Sequence, residues 1–200
     1  MDNIDNIINN NRINDYKQYC KDPNDYQNMY LLNFSLCSHM YIILGHFEIA
    51  LRNLVSKQLN NHFKTNDYRG YLDRKSRLIN WIKLKICKDY KAYSNKKLSL
   101  DVFISRQTFG YWSSILQNNK DIFKDCLNKS DIDTILRINK LRNRVMHFEN
   151  IIKDIKSFDD TYYLIQFLLT KISNKDYVNW SYQNSGSVFE LMQEIRKLHK

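Results

Sequence analysis

Residues that break helices are almost absent from this chain. Its 200 residues include one proline, Pro23, and four glycines. Tight turns between strands depend on glycine and proline, so a sheet-rich fold would need many more of them. The scarcity predicts an all-α protein built from long helices. A chain of this length can bury a core of its own, and we expect one helical domain over residues 25–200.

Residues 1–24 differ in composition from the rest of the chain. They are polar, rich in Asn and Asp, and end in Asp22-Pro23-Asn24, a sequence typical of turns. We expect them to form a polar N-terminal arm, as a frayed or loosely docked helix.

Apolar residues recur at three- and four-residue steps along most of the remaining chain, which is the pattern of amphipathic helices. The predicted helices cover residues 30–63, 76–91, 103–116, a segment from Ser130 past Val145, residues 159–173 and residues 187–200. Ser130 and Asp133 predict a capping box, and Ser187 predicts a helix cap. The helix over residues 159–173 is apolar nearly all round and is predicted to be buried, whereas Trp180 falls in a predicted loop.

The chain carries an excess of ten positive charges, 31 Lys and Arg against 21 Asp and Glu, and its isoelectric point is about 9.3. Such a charge concentrates polyanions near the surface and makes nucleic-acid binding salt-dependent. Basic residues are interspersed with Tyr and Trp over residues 64–91, which suits an RNA surface. Lysines that only flank a core face would give the same pattern.

A basic surface would also suit a protein on a membrane. However, no apolar run is expected to reach the length needed to span a bilayer, and the first residues lack the basic and apolar regions of a signal peptide. We therefore expect a cytoplasmic protein with no membrane partner. Its cysteines, Cys20, Cys37, Cys87 and Cys126, would stay reduced there. They lie far apart and the five histidines are scattered, so neither a metal site nor another cofactor is predicted.

The nine residues from Leu141 to Glu149 hold the best candidates for catalysis. Arg142, Asn143 and His147 follow one another there in the order R-N-x-x-x-H. Arginine is always charged and its planar fork fits a phosphate, whereas histidine takes up and releases protons near neutral pH. A cation fixed beside a proton carrier can cleave an RNA phosphodiester without a metal. The same spacing also occurs in ordinary basic helices, where it gives a solvated turn.

Helical geometry separates Arg142 from His147. At about 100° per residue, Asn143 and His147 lie within about 40° of each other, whereas Arg142 and His147 lie roughly 140° apart. A loosened helix end, or a site shared between two copies of the chain, would bring Arg142 closer. The alternative is that Arg144, three residues before His147 on the same side, is the working cation.

Glu48 and Arg52 are weaker candidates in the first long helix. They lie four residues apart, a spacing typical of a surface ion pair that contributes about 0.2–0.5 kcal/mol. Alternatively, Glu48 faces inward and orients Arg142. Arg52 and Arg144 are further candidates for RNA contacts.

Three blocks in this order resemble the abortive-infection (Abi) branch of the HEPN superfamily. Residues 47–53, Phe-Glu-Ile-Ala-Leu-Arg-Asn, are similar to its E-x-A-L-R-N helix, and residues 108–112, Thr-Phe-Gly-Tyr-Trp, are similar to its F-G-x-W block. Residues 141–147 match the HEPN signature R-x(4–6)-H in its R-N-x-x-x-H form. One departure is Phe148, where many relatives carry a second histidine.

The resemblance implies an all-α, HEPN-like helical bundle with additional helices, and a homodimer in which two signatures face each other. It implies a metal-independent endoribonuclease whose catalytic residues are Arg142, Asn143 and His147. It further implies a toxin in phage defence, restrained by an RNA or protein antitoxin. The superfamily also contains inactive members, so a non-catalytic adaptor that binds RNA or protein is the alternative.

Overall fold

The computed structural model describes residues 8–64, 100–184 and 186–200, and over these residues the chain is helical. The helices are α1 (Asn10–Lys17), α2 (Tyr26–Phe63), α3 (Leu100–Ser105), α4 (Phe109–Asn118), α5 (Lys120–Phe123), α6 (Lys129–Met146), α7 (Ile155–Ile172), α8 (Lys175–Gln183) and α9 (Val188–Leu198), with 3-10 turns at Pro23–Asp25 and Ile152–Asp154. No β-strand occurs in these three ranges, although an isolated bridge pairs Cys20 with His199. The predicted all-α class is confirmed. The predicted helix over residues 76–91 and its basic surface lie outside the described residues.

The described chain divides into two compact units. One contains the described residues up to His46 together with Lys140–Thr170 and Asn174–Lys200, and the other contains those of Phe47–Asn139 and Lys171–Ser173. The division into an arm of residues 1–24 and one domain of residues 25–200 stays a prediction.

In the first unit, α2 lines the core with one face. It begins at Tyr26 rather than at the predicted residue 30, after a turn in which Asp22 Oδ1 accepts the Asn24 N–H at 2.9 Å. The buried side chains of this part of the helix are Met29, Asn33, Leu36, Cys37, Met40, Ile43 and Leu44. The opposite face is apolar and exposed, at Leu31, Phe34, Tyr41 and Ile42, by 40–54%. These four residues are called the exposed α2 face below.

The α2 region also corrects the expectation that no apolar run is long enough to span a bilayer. Between Asp25 and Glu48 the sequence has no Asp, Glu, Lys or Arg. The segment Pro23–His62, with a mean hydropathy of 1.3 in its most apolar window, meets the length and composition criteria for a membrane span. Of that window 44% is buried inside the fold, and a core helix meets the same criteria. The cytoplasmic location stays a prediction.

Helix α1 packs within the first unit through Ile13 and Tyr16, whose side chains are 5% and 1% exposed. Asn9 caps its start by accepting the Asn11 N–H at 2.8 Å. From Asn10 to Lys17 the chain is therefore a docked helix, where the sequence predicts a frayed or loosely docked one.

The C-terminal helices of this unit differ from two predictions. Helix α7 is not buried all round, because Tyr163 and Phe167 are 58% and 61% exposed. Trp180 lies in helix α8 rather than in a loop, since Asn174 caps that helix by accepting the Tyr177 N–H at 2.7 Å. The predicted cap of α9 is confirmed: Ser187 Oγ accepts the Glu190 N–H at 3.1 Å.

Gly186, just before α9, has a backbone conformation and a neighbour that leave no room for a side chain. Its φ is +76°, and a Cβ built there would overlap the imidazole ring of His39. Gly45, within α2, has nothing within 4 Å of such a Cβ. Of these two glycines, Gly186 is the one that steric reasons require, because the left-handed region is strained for residues with a side chain.

In the second unit, the aromatic stretch of residues 108–112 packs in the core as predicted. Phe109, Tyr111 and Trp112 are at most 5% exposed, and the ring of Phe109 stacks on Phe47 at 5.8 Å. A Cβ at Gly110 would make only ordinary contacts at 3.9 Å, so close approach of a neighbour does not require glycine there.

The capping box of α6 is formed by different residues from those predicted. Asn128 Oδ1 accepts the Asp131 N–H at 2.9 Å, and Asp131 Oδ2 accepts the Asn128 N–H at 2.7 Å. Asp131 also pairs with Lys171 at 2.5 Å. The prediction of Ser130 and Asp133 is wrong by two residues, because Asp131 follows Asn128 at the same three-residue spacing.

Candidate functional site

The R-N-x-x-x-H stretch lies at the end of α6, where the helix closes in a tight C-terminal turn. The Phe148 N–H donates to the Val145 carbonyl and the Glu149 N–H donates to the Arg144 carbonyl, both at 3.0 Å. Phe148 has φ +48°. These two bonds around a left-handed residue define a Schellman motif, with His147 as the C-cap residue. The predicted position near the C-terminal end of a helix is confirmed.

Phe148 occupies a backbone conformation that usually belongs to glycine at this position. The left-handed region costs a residue with a side chain about 1–2 kcal/mol. Two contacts hold Phe148 there: its ring stacks on Phe34 with centroids 4.4 Å apart, and its carbonyl accepts a hydrogen bond from Arg12 Nη2. The turn that follows His147 is therefore held by side chains from α1 and α2.

Asn33 of α2 holds the next part of the turn. Its side chain is 1% exposed, donates through Nδ2 to the Glu149 carbonyl at 3.1 Å and accepts the Ile151 N–H through Oδ1 at 3.0 Å. Cys37 lies one helical turn further, with Sγ 3.9 Å from the Glu149 carbonyl, and burial raises the pKa of its thiol to about 12. A thiol with so high a pKa stays protonated at neutral pH and makes a poor nucleophile.

Arg144 forms part of the same turn. Its Nη2 donates to the Asn150 carbonyl at 2.8 Å, and its Nε lies 3.5 Å from a carboxylate oxygen of Glu149. The Asn150 side chain donates to Asp15 Oδ2 at 2.9 Å. The guanidinium of Arg144 thus links the last turn of α6 to the residues that follow it.

The three predicted catalytic residues are not equally accessible. Asn143 and His147 are exposed, and the His147 N–H donates to the Asn143 carbonyl at 3.3 Å, so they share one side of the helix end. Arg142 is half-buried and lies on a different side. Lys140 is also exposed. It lies on the same side of the helix as Asn143 and His147, because residues three and seven positions apart share a helix face. Lys140 is a neighbouring cation that the sequence reasoning did not single out.

Glu48 and Arg52 belong to the second unit, whereas Arg142 belongs to the first. Both are half-buried in α2. The hypothesis that Glu48 orients Arg142, and the one that Arg52 contacts RNA, stay predictions.

Four polar residues that shape the His147 turn were missed in the sequence: Arg12, Asp15, Asn33 and Asn150. Only Asn33 carried a usable signal, since it interrupts the apolar stretch Leu31-Leu32-Asn33-Phe34 at a position that faces the core, and buried amides need partners. In the described ranges no group of three or more His, Cys, Asp and Glu residues could hold a metal ion.

Comparison of the chain with protein-family models, with curated proteins and with solved structures finds no match in any of the three. The likeness to a known superfamily therefore rests on the three sequence blocks alone. What the helix end can do chemically follows from its exposed imidazole, the amide beside it and the arginines of the last turn.

Proposed function

We propose that this chain is a metal-independent endoribonuclease of the HEPN type that acts as a toxin in abortive infection. The observation that supports this most is the placement of His147. An exposed imidazole stands at the C-cap of α6, on a turn that several side chains fix in place. A group that transfers protons must be accessible to substrate and well oriented, and this histidine meets both conditions.

The contacts of Arg144 support Arg142 as the phosphate ligand. The guanidinium of Arg144 already bonds the Asn150 carbonyl and lies beside Glu149. Recruiting Arg144 to a phosphate would therefore break contacts that hold the turn. We therefore assign the phosphate to Arg142, the arginine of the R-N-x-x-x-H signature.

The reaction would be a transesterification at the RNA backbone. His147 takes the proton from the 2′-hydroxyl or gives one to the departing 5′-oxygen, a contribution of about 10²–10⁴-fold in rate. Arg142 offsets the negative charge that grows on the phosphate oxygens, and Asn143 orients the imidazole or bonds the phosphate. The products are a 2′,3′-cyclic phosphate and a 5′-hydroxyl. DNA, which lacks the 2′-hydroxyl nucleophile, is not cut.

A homodimer would complete the site. One chain supplies one His147, whereas the reaction benefits from one group that removes a proton and another that donates one. The exposed α2 face offers an apolar surface for a second copy, and its Phe34 stacks on Phe148, the neighbour of His147. A two-fold contact at that face would use the same patch twice and bring two helix ends together. The net charge of +10 favours an RNA substrate and also an RNA antitoxin.

The same exposed α2 face favours a second candidate function. Contiguous exposed apolar residues mark binding surfaces, so the chain would be a non-catalytic adaptor that binds RNA through its basic charge and a partner protein through α2. An adaptor needs neither Arg142 nor His147 for its binding.

A nuclease assay separates these functions. Single-stranded RNA and DNA of the same sequence are incubated with wild-type protein and with His147→Ala, each with and without EDTA. We expect RNA cleavage that survives EDTA and vanishes in His147→Ala, while DNA stays intact. Because His147 is exposed, the variant should fold and bind RNA as the wild type does. Cleavage at the wild-type rate by His147→Ala would refute the proposal, and tight binding without cleavage would favour the adaptor.

A further inference from the structure

Helix α1 reaches the His147 turn through two side chains on one face. Arg12 donates through Nη2 to the Phe148 carbonyl, and Asp15 accepts the Asn150 side-chain N–H at 2.9 Å. Arg12 and Asp15 are three residues apart and therefore project from the same side of the helix. They form hydrogen bonds with the turn at two residues, Phe148 and Asn150.

Arg12 is itself held in position. Its guanidinium lies 5.5 Å from the centroid of the Tyr30 ring, and that ring meets Tyr16 edge-on at 5.4 Å. Tyr16 is 1% exposed, and burial raises the pKa of its hydroxyl. An arginine stacked on an aromatic ring loses little further freedom when it bonds a carbonyl. The anchor on α1 is therefore rigid.

We propose that α1 is a clamp that orients His147, with Arg12 as a positioning residue for the proposed ribonuclease reaction. Phe148 is held in the left-handed region, and its carbonyl is the atom that Arg12 bonds. Release of that carbonyl lets Phe148 leave this conformation, which opens the Schellman motif and frees the C-cap residue before it. His147 would then sample many orientations, and few of them would suit in-line attack.

Hydrogen exchange measured by NMR on the full chain tests the clamp without any assay of activity. The reporters are the amides of Phe148 and Glu149, which close the motif. We expect Arg12→Gln to lower their protection about tenfold, as for the loss of a charged hydrogen bond. Arg12→Lys, which keeps one charged donor, should restore part of it.

The matched control is Lys17→Gln. Lys17 is a half-buried cation of the same helix, but its ammonium lies 4.7 Å from the Tyr26 ring. The amides of α7 serve as the reference, and their protection should not change. If Arg12→Gln fails to fold, Asp15→Ala removes the second anchor and gives the same readout. Equal protection of the reporters in the Arg12→Gln and Lys17→Gln variants would overturn the clamp.

Kinetics then test the catalytic consequence, which rests on the proposed function. Misplacement of a catalytic group by about 1 Å can cost about 100-fold in rate, so kcat of Arg12→Gln should fall by about 10- to 100-fold with KM unchanged. A loosened turn with unchanged kcat would refute the positioning role. If the wild-type protein cuts no RNA, the proposed function fails, and the exchange data alone decide whether α1 clamps the turn.

Discussion

Replacement of Asn33 by leucine tests how the turn after His147 is built. The Asn33 side chain is 1% exposed and makes two hydrogen bonds to the main chain of this turn, to the Glu149 carbonyl at 3.1 Å and from the Ile151 N–H at 3.0 Å. Leucine has nearly the same volume but forms neither bond. The Glu149 carbonyl and the Ile151 N–H would then lose the Asn33 side chain as their hydrogen-bond partner.

The expected loss of stability follows from these two groups. A buried polar group that loses its partner costs about 1–3 kcal/mol, so the pair costs roughly 2–6 kcal/mol. The larger apolar surface of leucine offsets about 1–2 kcal/mol of this when it is buried. The difference is about 0–5 kcal/mol, and we expect Asn33→Leu to lower the free energy of unfolding by about 2–3 kcal/mol, the middle of that range.

Urea unfolding followed by circular dichroism measures this loss, and hydrogen exchange at the Ile151 amide localises it. The matched control is Asn28→Leu, the same substitution at an exposed position of the same helix, which should change stability by no more than about 0.5 kcal/mol. A loss in Asn33→Leu no larger than in the control, or an Ile151 amide as protected as in the wild type, would refute the role assigned to Asn33.

Three further outcomes are expected. Arg142→Lys should lower kcat/KM on RNA at least tenfold, because an ammonium lacks the bidentate fork, whereas Arg144→Lys should be mild; the reverse ranking would make Arg144 the phosphate ligand. An excess of His147→Ala chains, mixed with wild type under subunit exchange, should depress activity per wild-type chain, and strict proportionality would contradict a shared site. In urea unfolding, Gly186→Ala should cost at least about 1–2 kcal/mol for its left-handed backbone, while Gly45→Ala should gain about 0.5–1 kcal/mol; equal effects would contradict the steric reading of Gly186.

Helices and helix caps, which depend on residues close together in the chain, could be predicted from the sequence. The scarcity of breakers and the apolar periodicity predicted the helical class, the course of α2 and the Ser187 cap, and they placed the R-N-x-x-x-H stretch near a helix end. Such features depend on hydrogen bonds and apolar contacts between residues three or four apart. The capping box was misplaced at Ser130 because two sets of residues fit the same spacing, and the structure uses Asn128 and Asp131.

The partners of the candidate site depended on the tertiary structure. Arg12 contacts Phe148 across 136 positions of sequence, and Asn33 contacts Ile151 across 118. Periodicity within a helix says which side of it is apolar, but it does not say which distant residue meets that side. The sequence favoured Arg142 and left Arg144 as the alternative cation, whereas in the folded chain Arg144 donates a hydrogen bond to the Asn150 carbonyl.

The sequence by itself determined that this chain is helical and that an arginine, an asparagine and a histidine stand together near the end of one helix. Only the tertiary structure decided that this helix ends at a turn fixed by side chains of α1 and α2, with the imidazole exposed. The physical reason is that helix formation follows local hydrogen bonds, whereas a left-handed residue such as Phe148 persists only where distant groups hold it in place.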